Sequence, residues 1–346
     1  MHEVDRPWRG AYTPMREVAT QDDLGLLKSA KPRFESLDEV VQGLGQVGYL
    51  ANKSITTAVY LGDRLSKPVL VEGPAGTGKT QLAKSVAEFT KSRLIRLQCY
   101  EGLDESRTLY EWNYRKQLLR IQAGEFAKDP RENGSDLIGE PTSGTGPNSA
   151  APSSQSGWKA LEQDIFSEDF LLSRPLLEAI RSKDSVVLLI DEVDRVEMET
   201  EALLLEVLSE YQVSIPELGT ICANRVPLVF LTSNNTRELS EALKRRCLYL
   251  HVDYPDLGRE TSIIRSRVPR ISEELADQVA RIVRSLRTME LRKSPSISET
   301  LDWARTLIVL GIESIDAEQA AEMLPILLKY QSDIERAAKE LLATPH

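Results

Sequence analysis

Residues 73 to 80 read Gly-Pro-Ala-Gly-Thr-Gly-Lys-Thr, the pattern G-x-x-x-x-G-K-[ST], directly after the apolar run Pro68-Val69-Leu70-Val71 and directly before a helical pattern. Gly73, Gly76 and Gly78 let backbone N–H groups curl around a phosphate. Pro74, Ala75 and Thr77 complete the turn, and the N-terminus of the next helix adds its positive dipole. Lys79 can then reach β- and γ-phosphates, and Thr80 can offer its hydroxyl to Mg²⁺. Such a segment holds the phosphate chain of a nucleotide; the alternative is an ordinary glycine-rich turn.

A second candidate group follows the apolar strand pattern Val186–Ile190, which ends in Asp191-Glu192-Val193-Asp194. Asp191 is suited to hold Mg²⁺ through water, and Glu192 to orient and deprotonate a water for in-line attack on a phosphate. Acidic residues after a buried strand are otherwise solvated loop residues. A third strand pattern, Leu228–Leu231, ends in Thr232-Ser233-Asn234-Asn235. Asn234, with Asn235 as second choice, offers a neutral amide to the γ-phosphate and attacking water, although Asn pairs are also common turn residues. Lys244-Arg245-Arg246 then places three like charges together. Unless they only favour a helix C-terminal dipole, they need an anion opposite, and a nucleotide held by a neighbouring subunit is a suitable one.

These groups need a scaffold that brings strand ends together. The pattern predicts helices near 36–47 and 53–65, then an alternation: helix 79–90, strand 93–98, helix 173–182, strand 186–190, helix 198–210, strand 227–232, helix 238–244 and strand 248–252. Such alternation argues for an α/β fold with a parallel sheet covered by helices on both faces. After Pro255 only helical patterns remain. Leu275, Val279, Ile282, Val283 and Leu286 form one apolar stripe, and Ser296 with Glu299 has the form of a capping box opening a helix that stops at Gly311. The expected organisation is an N-terminal arm at 1–32, an α/β core at 33–254 and an all-helical lid at 255–346. Residues 131–157 hold 14 Gly, Ser or Pro in 27 positions and no aromatic residue, so a mobile loop is expected there.

Composition narrows the function further. With 43 Lys plus Arg against 53 Asp plus Glu, the 346-residue chain carries a net charge of -10, which disfavours nucleic acid as a partner. No stretch is apolar enough for a membrane span or a signal peptide. Cys99, Cys222 and Cys247 form no C-x-x-C pair and point to a reducing cytoplasm. His2, His251 and His346 lie far apart, so a metal-insertion role for the chain itself is weakly supported.

The ordered set of phosphate loop, acidic strand end, polar strand end and arginine pair resembles the P-loop NTPases of the AAA+ class. Within it, the chain resembles the MoxR family, and most the MoxR-type proteins associated with aerobic carbon monoxide dehydrogenase and related molybdenum hydroxylases. The segments carrying this likeness are LIRLQCYEGLDESRTLYEWNYRKQLL at 94–119, EDFLLSRPLLEAI at 168–180, EALLLEVLSEYQVSIPELG at 201–219 and TSNNTRELSEALKRRC at 232–247. The resemblance implies an ATP- and Mg²⁺-dependent hydrolase that forms a homo-oligomeric ring, usually a hexamer, with Arg245 or Arg246 acting on the neighbour's γ-phosphate. It also implies an insertion within about 104–172 and a hairpin near 211–226. In the first, Tyr110, Trp112 and Tyr114 either face a pore or partner or pack one face of a strand. A von Willebrand factor A domain protein and a metalloenzyme client are the implied partners. One departure matters: the family often places an arginine in a Ser-Pro-Arg context at a lid helix, whereas Ser296 follows Ser294-Pro295 here, leaving Arg292 or Lys293 as candidate substitutes. The expected function is an ATP-driven remodelling chaperone. A nucleotide-switched scaffold and a nucleic-acid motor are the alternatives.

Overall fold

The computed structural model describes residues 32–126 and 164–343. The expected mobile loop at 131–157 and residues 1–31 of the expected arm lie outside the described residues. Helices α1 (Leu37–Gln46) and α2 (Lys53–Arg64) lead into strand β1 (Val69–Glu72) and helix α3 (Lys79–Phe89). Both leading helices start on capping side chains. Ser36 accepts from Glu39 N–H and Asn52 from Ile55 N–H, satisfying donors that a helix end would otherwise leave unpaired.

Strand β2 (Arg93–Gln98) is followed by helix α4 (Glu105–Thr108), strand β3 (Tyr110–Trp112), helix α5 (Tyr114–Phe126), strand β4 (Leu171–Ser173) and helix α6 (Pro175–Arg181). Next come strand β5 (Val186–Asp191), helix α7 (Met198–Glu210), the hairpin β6 (Gln212–Ile215) and β7 (Gly219–Cys222), strand β8 (Leu228–Ser233), helix α8 (Glu241–Arg246) and strand β9 (Leu248–His251). Strands β2, β5, β8, β1 and β9 form, in that spatial order, one parallel sheet.

Every residue of β1, β5 and β8 is buried, as two-sided coverage requires. Their side chains alternate between two apolar layers. Leu70, Leu188, Ile190, Val229 and Leu231 enter one, and Val69, Val71, Val187, Leu189 and Phe230 enter the other. Burial of each such side chain contributes about 1.5–3 kcal/mol, and no polar side chain interrupts either layer in these strands before the strand ends.

Two expected elements differ. The helix expected at 173–182 begins only at Pro175, because Leu171–Ser173 pairs antiparallel with Tyr110–Trp112 and Pro175 is pre-set for a first helical turn. The helix expected at 238–244 runs from Glu241 to Arg246, opened by the Ser240 side chain accepting from Leu243 N–H. Nor do Tyr110, Trp112 and Tyr114 share one strand face. Trp112 is buried against Phe166 with ring centroids 5.2 Å apart, whereas Tyr114 starts α5 and is exposed.

Five helices complete the chain: α9 (Leu257–Arg267), α10 (Glu273–Thr288), α11 (Ile297–Val309), α12 (Ala317–Leu327) and α13 (Gln331–Ala343). They enclose their own apolar core around Trp303, with Leu275, Val279, Val283 and Leu286 supplying the α10 stripe. A buried ion pair crosses this bundle. The Arg287 guanidinium on α10 donates to both Glu260 carboxylate oxygens on α9, at 2.6 and 2.8 Å, and to the Pro295 carbonyl ahead of α11. Removing one member strands a buried charge, which costs about 3–5 kcal/mol, whereas replacing both with apolar residues of similar volume is close to neutral. Arg287→Met is therefore expected to destabilise the bundle by that amount and Arg287→Met/Glu260→Leu to recover most of it. Urea denaturation followed by tryptophan fluorescence checks both; equal losses in the single and double variants would refute the charge argument.

Candidate nucleotide site

Parallel strand order brings the C-terminal ends of β1, β5 and β8 side by side, the edge at which open α/β sheets place ligands. The three sequence motifs therefore meet although more than a hundred residues separate the first from the second. Together with α9 and α11 they line one cleft of about 650 Å³. Ala75 to Thr80, Asp191, Glu192 and Asn234 are on its wall.

The turn from β1 into α3 depends on two glycines. A Cβ on Gly73 would stand 2.0 Å from the Val252 carbonyl oxygen, and one on Gly76, where φ is +75°, would stand 2.2 Å from Ser296 Cβ. Gly73 thus lets the turn pass beside the end of β9, and Gly76 lets the start of α11 close against it. Ile297 N–H donates to the Gly76 carbonyl at 3.1 Å. The capping box expected from sequence is present, with Ser296 Oγ accepting from Glu299 N–H and the Glu299 carboxylate accepting from Ser296 N–H. Ser296 therefore both caps α11 and packs the lid on the phosphate loop.

Lys79 is buried, and its ammonium donates to the carbonyls of Gly73 at 2.7 Å and Pro74 at 2.6 Å. Burial pushes its pKa down, opposed by the carboxylates of Asp194, Asp191, Glu192 and Glu72. Asp191 is the most connected acid. Its Oδ1 accepts from the hydroxyls of Thr80 at 2.9 Å and Thr232 at 2.6 Å, and its Oδ2 accepts from Arg96. A hydroxyl and a carboxylate side by side at a phosphate cradle are hard oxygen donors that suit Mg²⁺, which keeps several waters and takes its remaining ligands from phosphate oxygens. The residues fit that ion; Thr80 would ligate it and Asp191 would hold its waters.

Glu192 adopts left-handed backbone at φ +59°, uncommon for a residue with a side chain, and its N–H donates to Thr232 Oγ1 at 2.9 Å. Its carboxylate pairs with Arg195 at 2.8 Å. Strained backbone of this kind clusters at functional sites, where surrounding contacts hold it.

Asp194 ties this turn to the end of β8. Its Oδ2 accepts from Asn234 N–H at 3.2 Å, Thr236 N–H at 3.0 Å and Thr236 Oγ1 at 2.6 Å. Burial opposes its ionisation, but those hydrogen bonds win and hold its carboxyl below the usual range. Asn234 lines the cleft, whereas Asn235 is exposed and does not.

Arg245 and Arg246 sit in the last turn of α8, exposed and outside the cleft. Arg292 and Lys293 are not on its wall either. Their N–H groups donate to the buried Asp333 carboxylate, the Arg292 guanidinium lies over Tyr330, and Lys293 pairs with Glu299. That corrects the expected substitutes. The arginines that the lid does present to the cleft are Arg259, Arg267 and Arg305, the first two on α9 and the third on the face of α11 that also carries Leu301 and Asp302. Arg259 is anchored, donating to the Leu50 carbonyl at 3.1 and 2.6 Å. Sequence reasoning missed these arginines as well as Arg96 and Asp194. A usable signal existed for Asp194, the second acid of Asp-Glu-Val-Asp, and for Arg96, a charge in a strand beside the acidic one.

A family model described as an AAA domain of the dynein-related subfamily matches residues 68–247. An uncharacterised protein of Staphylococcus aureus is 25% identical over 260 residues, covering 72% of this chain and 81% of its own length. An uncharacterised protein of Staphylococcus epidermidis is 24% identical over 282 residues, covering 80% and 89%. Among solved structures, the Thermotoga maritima RuvB Holliday junction branch migration motor is similar with a TM-score of 0.40 and 17% identity, over 85% of this chain and 72% of that one. The matched residues run from the strand before the phosphate loop to the cysteine after Arg246, and the chain belongs to the AAA domain family, dynein-related subfamily.

Proposed function

We propose that the chain hydrolyses ATP to ADP and phosphate and uses the cycle to remodel a client protein. One observation carries this reading: the phosphate loop, the Thr80–Asp191 pair, Glu192 and Asn234 line a single cleft closed on one side by the helical lid. Backbone N–H groups of 73–80 and Lys79 would bind the phosphates, Thr80 and Asp191 would hold Mg²⁺, and Tyr49, Leu50, Ile263 and Leu301 offer apolar surface for the base. Mg²⁺ would neutralise charge on the β- and γ-phosphate oxygens. Glu192 would take the proton of the attacking water, and Asn234 would orient that water against the γ-phosphate.

Residues 33–254 and 255–346 would move as core and lid. Arg245 and Arg246, exposed and outside the chain's own cleft, would serve a neighbouring subunit's nucleotide in a homo-oligomeric ring, a hexamer by the resemblance to MoxR proteins. The same resemblance supports a von Willebrand factor A domain partner and a metalloenzyme client; the cysteine spacing fits a cytoplasmic chaperone, and the net charge of -10 disfavours a role on nucleic acid. No helix among the described residues is long and apolar enough to cross a membrane.

Glu192→Gln is expected to keep ATP binding and ATP-dependent assembly while lowering kcat about 10²- to 10⁴-fold, the usual worth of a general base. Steady-state phosphate release, with mass measured by light scattering in ATP and without nucleotide, tests this. Wild-type protein that binds ATP yet neither hydrolyses it nor assembles would favour a nucleotide-switched scaffold instead.

Asp194 holds Asn234 in place, and its lowered pKa gives a second check. A depressed carboxylate contributes stability that is present above its unfolded value of about 3.9 and is lost as pH falls through the folded value. Asp194→Asn is expected to lose about 1–3 kcal/mol at pH 7, to converge with wild type as pH falls through the folded value, and to lower kcat with little change in KM. Urea titrations from pH 7 down into acid, together with ATPase kinetics, decide it; a loss that persists undiminished throughout would refute the charge-based account.

A further inference from the structure

Asp191 Oδ2 accepts two donors from one side chain, Arg96 Nε at 3.0 Å and Nη2 at 2.5 Å. Arg96 comes from β2, the strand hydrogen-bonded to β5, and lies two residues before Gln98, which is directly opposite Asp191 in the register. Arg96 and Gln98 therefore share a strand face, and Arg96 Nη2 also donates to Gln98 Oε1. The two members of the ion pair differ in exposure, the Asp191 side chain at 3% and Arg96 at 45%. The carboxylate is fixed, while the guanidinium borders solvent and has a second acceptor beside it.

This arrangement bears on metal affinity. Oδ1 is already shared by Thr80 and Thr232, so a water on a Mg²⁺ ion beside Thr80 must bond to the oxygen that Arg96 uses. The guanidinium is also a like charge next to the cation's position, which repels it in a partly desolvated cleft. We propose that Arg96 sets the affinity of this site for divalent cation by competing for Asp191 Oδ2, and that it releases that oxygen towards Gln98 when metal binds. The proposal rests on the reading of the cleft as a nucleotide–Mg²⁺ site. It makes Arg96 a positioning residue whose removal tightens metal binding, the opposite of what loss of a supporting contact would do.

The test is Mn²⁺ binding in the presence of ADP, counted by the electron paramagnetic resonance signal of free Mn²⁺, on wild type, Arg96→Met and Arg96→Gln, with thermal melts in Mn²⁺ and in chelator. Both variants are expected to bind Mn²⁺ about twofold to fivefold more tightly, the scale of one solvent-exposed ion pair, and to gain more thermal stability from metal than wild type does. Arg96→Gln keeps a polar group on the strand and serves if Arg96→Met folds poorly. Unchanged or weaker binding in a folded variant overturns the proposal while leaving the nucleotide site standing. Wild-type protein that binds neither ADP nor Mn²⁺ with ADP would sink both.

Discussion

A carboxylate is expensive to bury unless its lone pairs are occupied, and Asp191, 2% exposed at the end of β5, is held by three donor residues from three other elements. Thr80 comes from the helix after β1, Thr232 from β8 and Arg96 from β2. The sheet order β2-β5-β8-β1 is what makes this possible, because it sets β2 and β8 beside β5 and brings the start of the helix after β1 within reach. Shifting any strand by one residue would turn its polar terminal side chain to the opposite face and expel Asp191's partners from the site. The register of the sheet and the chemistry of the cleft are thus one constraint.

That constraint extends through Thr232, whose hydroxyl oxygen accepts from Glu192 N–H while its proton goes to Asp191. Left-handed backbone at Glu192 is stabilised by this contact, and the next carboxylate along, Asp194, fastens the end of β8 that carries Asn234. Movement at Asn234 is therefore mechanically tied to Glu192 through two short bridges, one on each side of the strained turn. If Asn234 met a γ-phosphate, as proposed, these bridges would link that contact to Glu192.

Much of this was legible in the sequence because it depends on local chemistry. The glycine loop, the apolar strands and the Ser296–Glu299 capping box are each written in adjacent residues whose backbone or hydrogen-bonding needs are specific. Asp194 and Arg96 were harder to see, since their roles arise only when β8 and β2 flank β5, a pairing of segments 40 and 95 residues apart. Boundaries slipped where a tertiary contact outweighed local pattern: the helix expected from Ser173 starts only at Pro175, because Leu171–Ser173 is drawn into pairing with Tyr110–Trp112. The expected substitutes for a lid arginine failed for a related reason. Arg292 and Lys293 are cationic and close in sequence to α11, yet the buried Asp333 of α13 accepts from their N–H groups and neither residue lines the cleft.

Contact between the helical bundle and the phosphate loop rests on packing more than on a single cation. Gly76 contacts Ser296 with no space for a side chain, and its carbonyl accepts from Ile297 N–H, so any change in the loop's shape is felt at the first turn of α11. From there Thr300 and the Pro295 carbonyl meet Arg287, whose bidentate pair with Glu260 reaches α9, the helix that also holds the Leu50 carbonyl through Arg259. The chain of contacts runs from the phosphate loop through α11, α10 and α9 and returns to the core at the segment that lines the cleft beside Tyr49. This closed circuit joins the phosphate loop to the helical bundle through close-packed and geometrically demanding contacts. Arg305, on the cleft face of α11 and paired with Asp302, places a charge on the cleft wall outside this circuit.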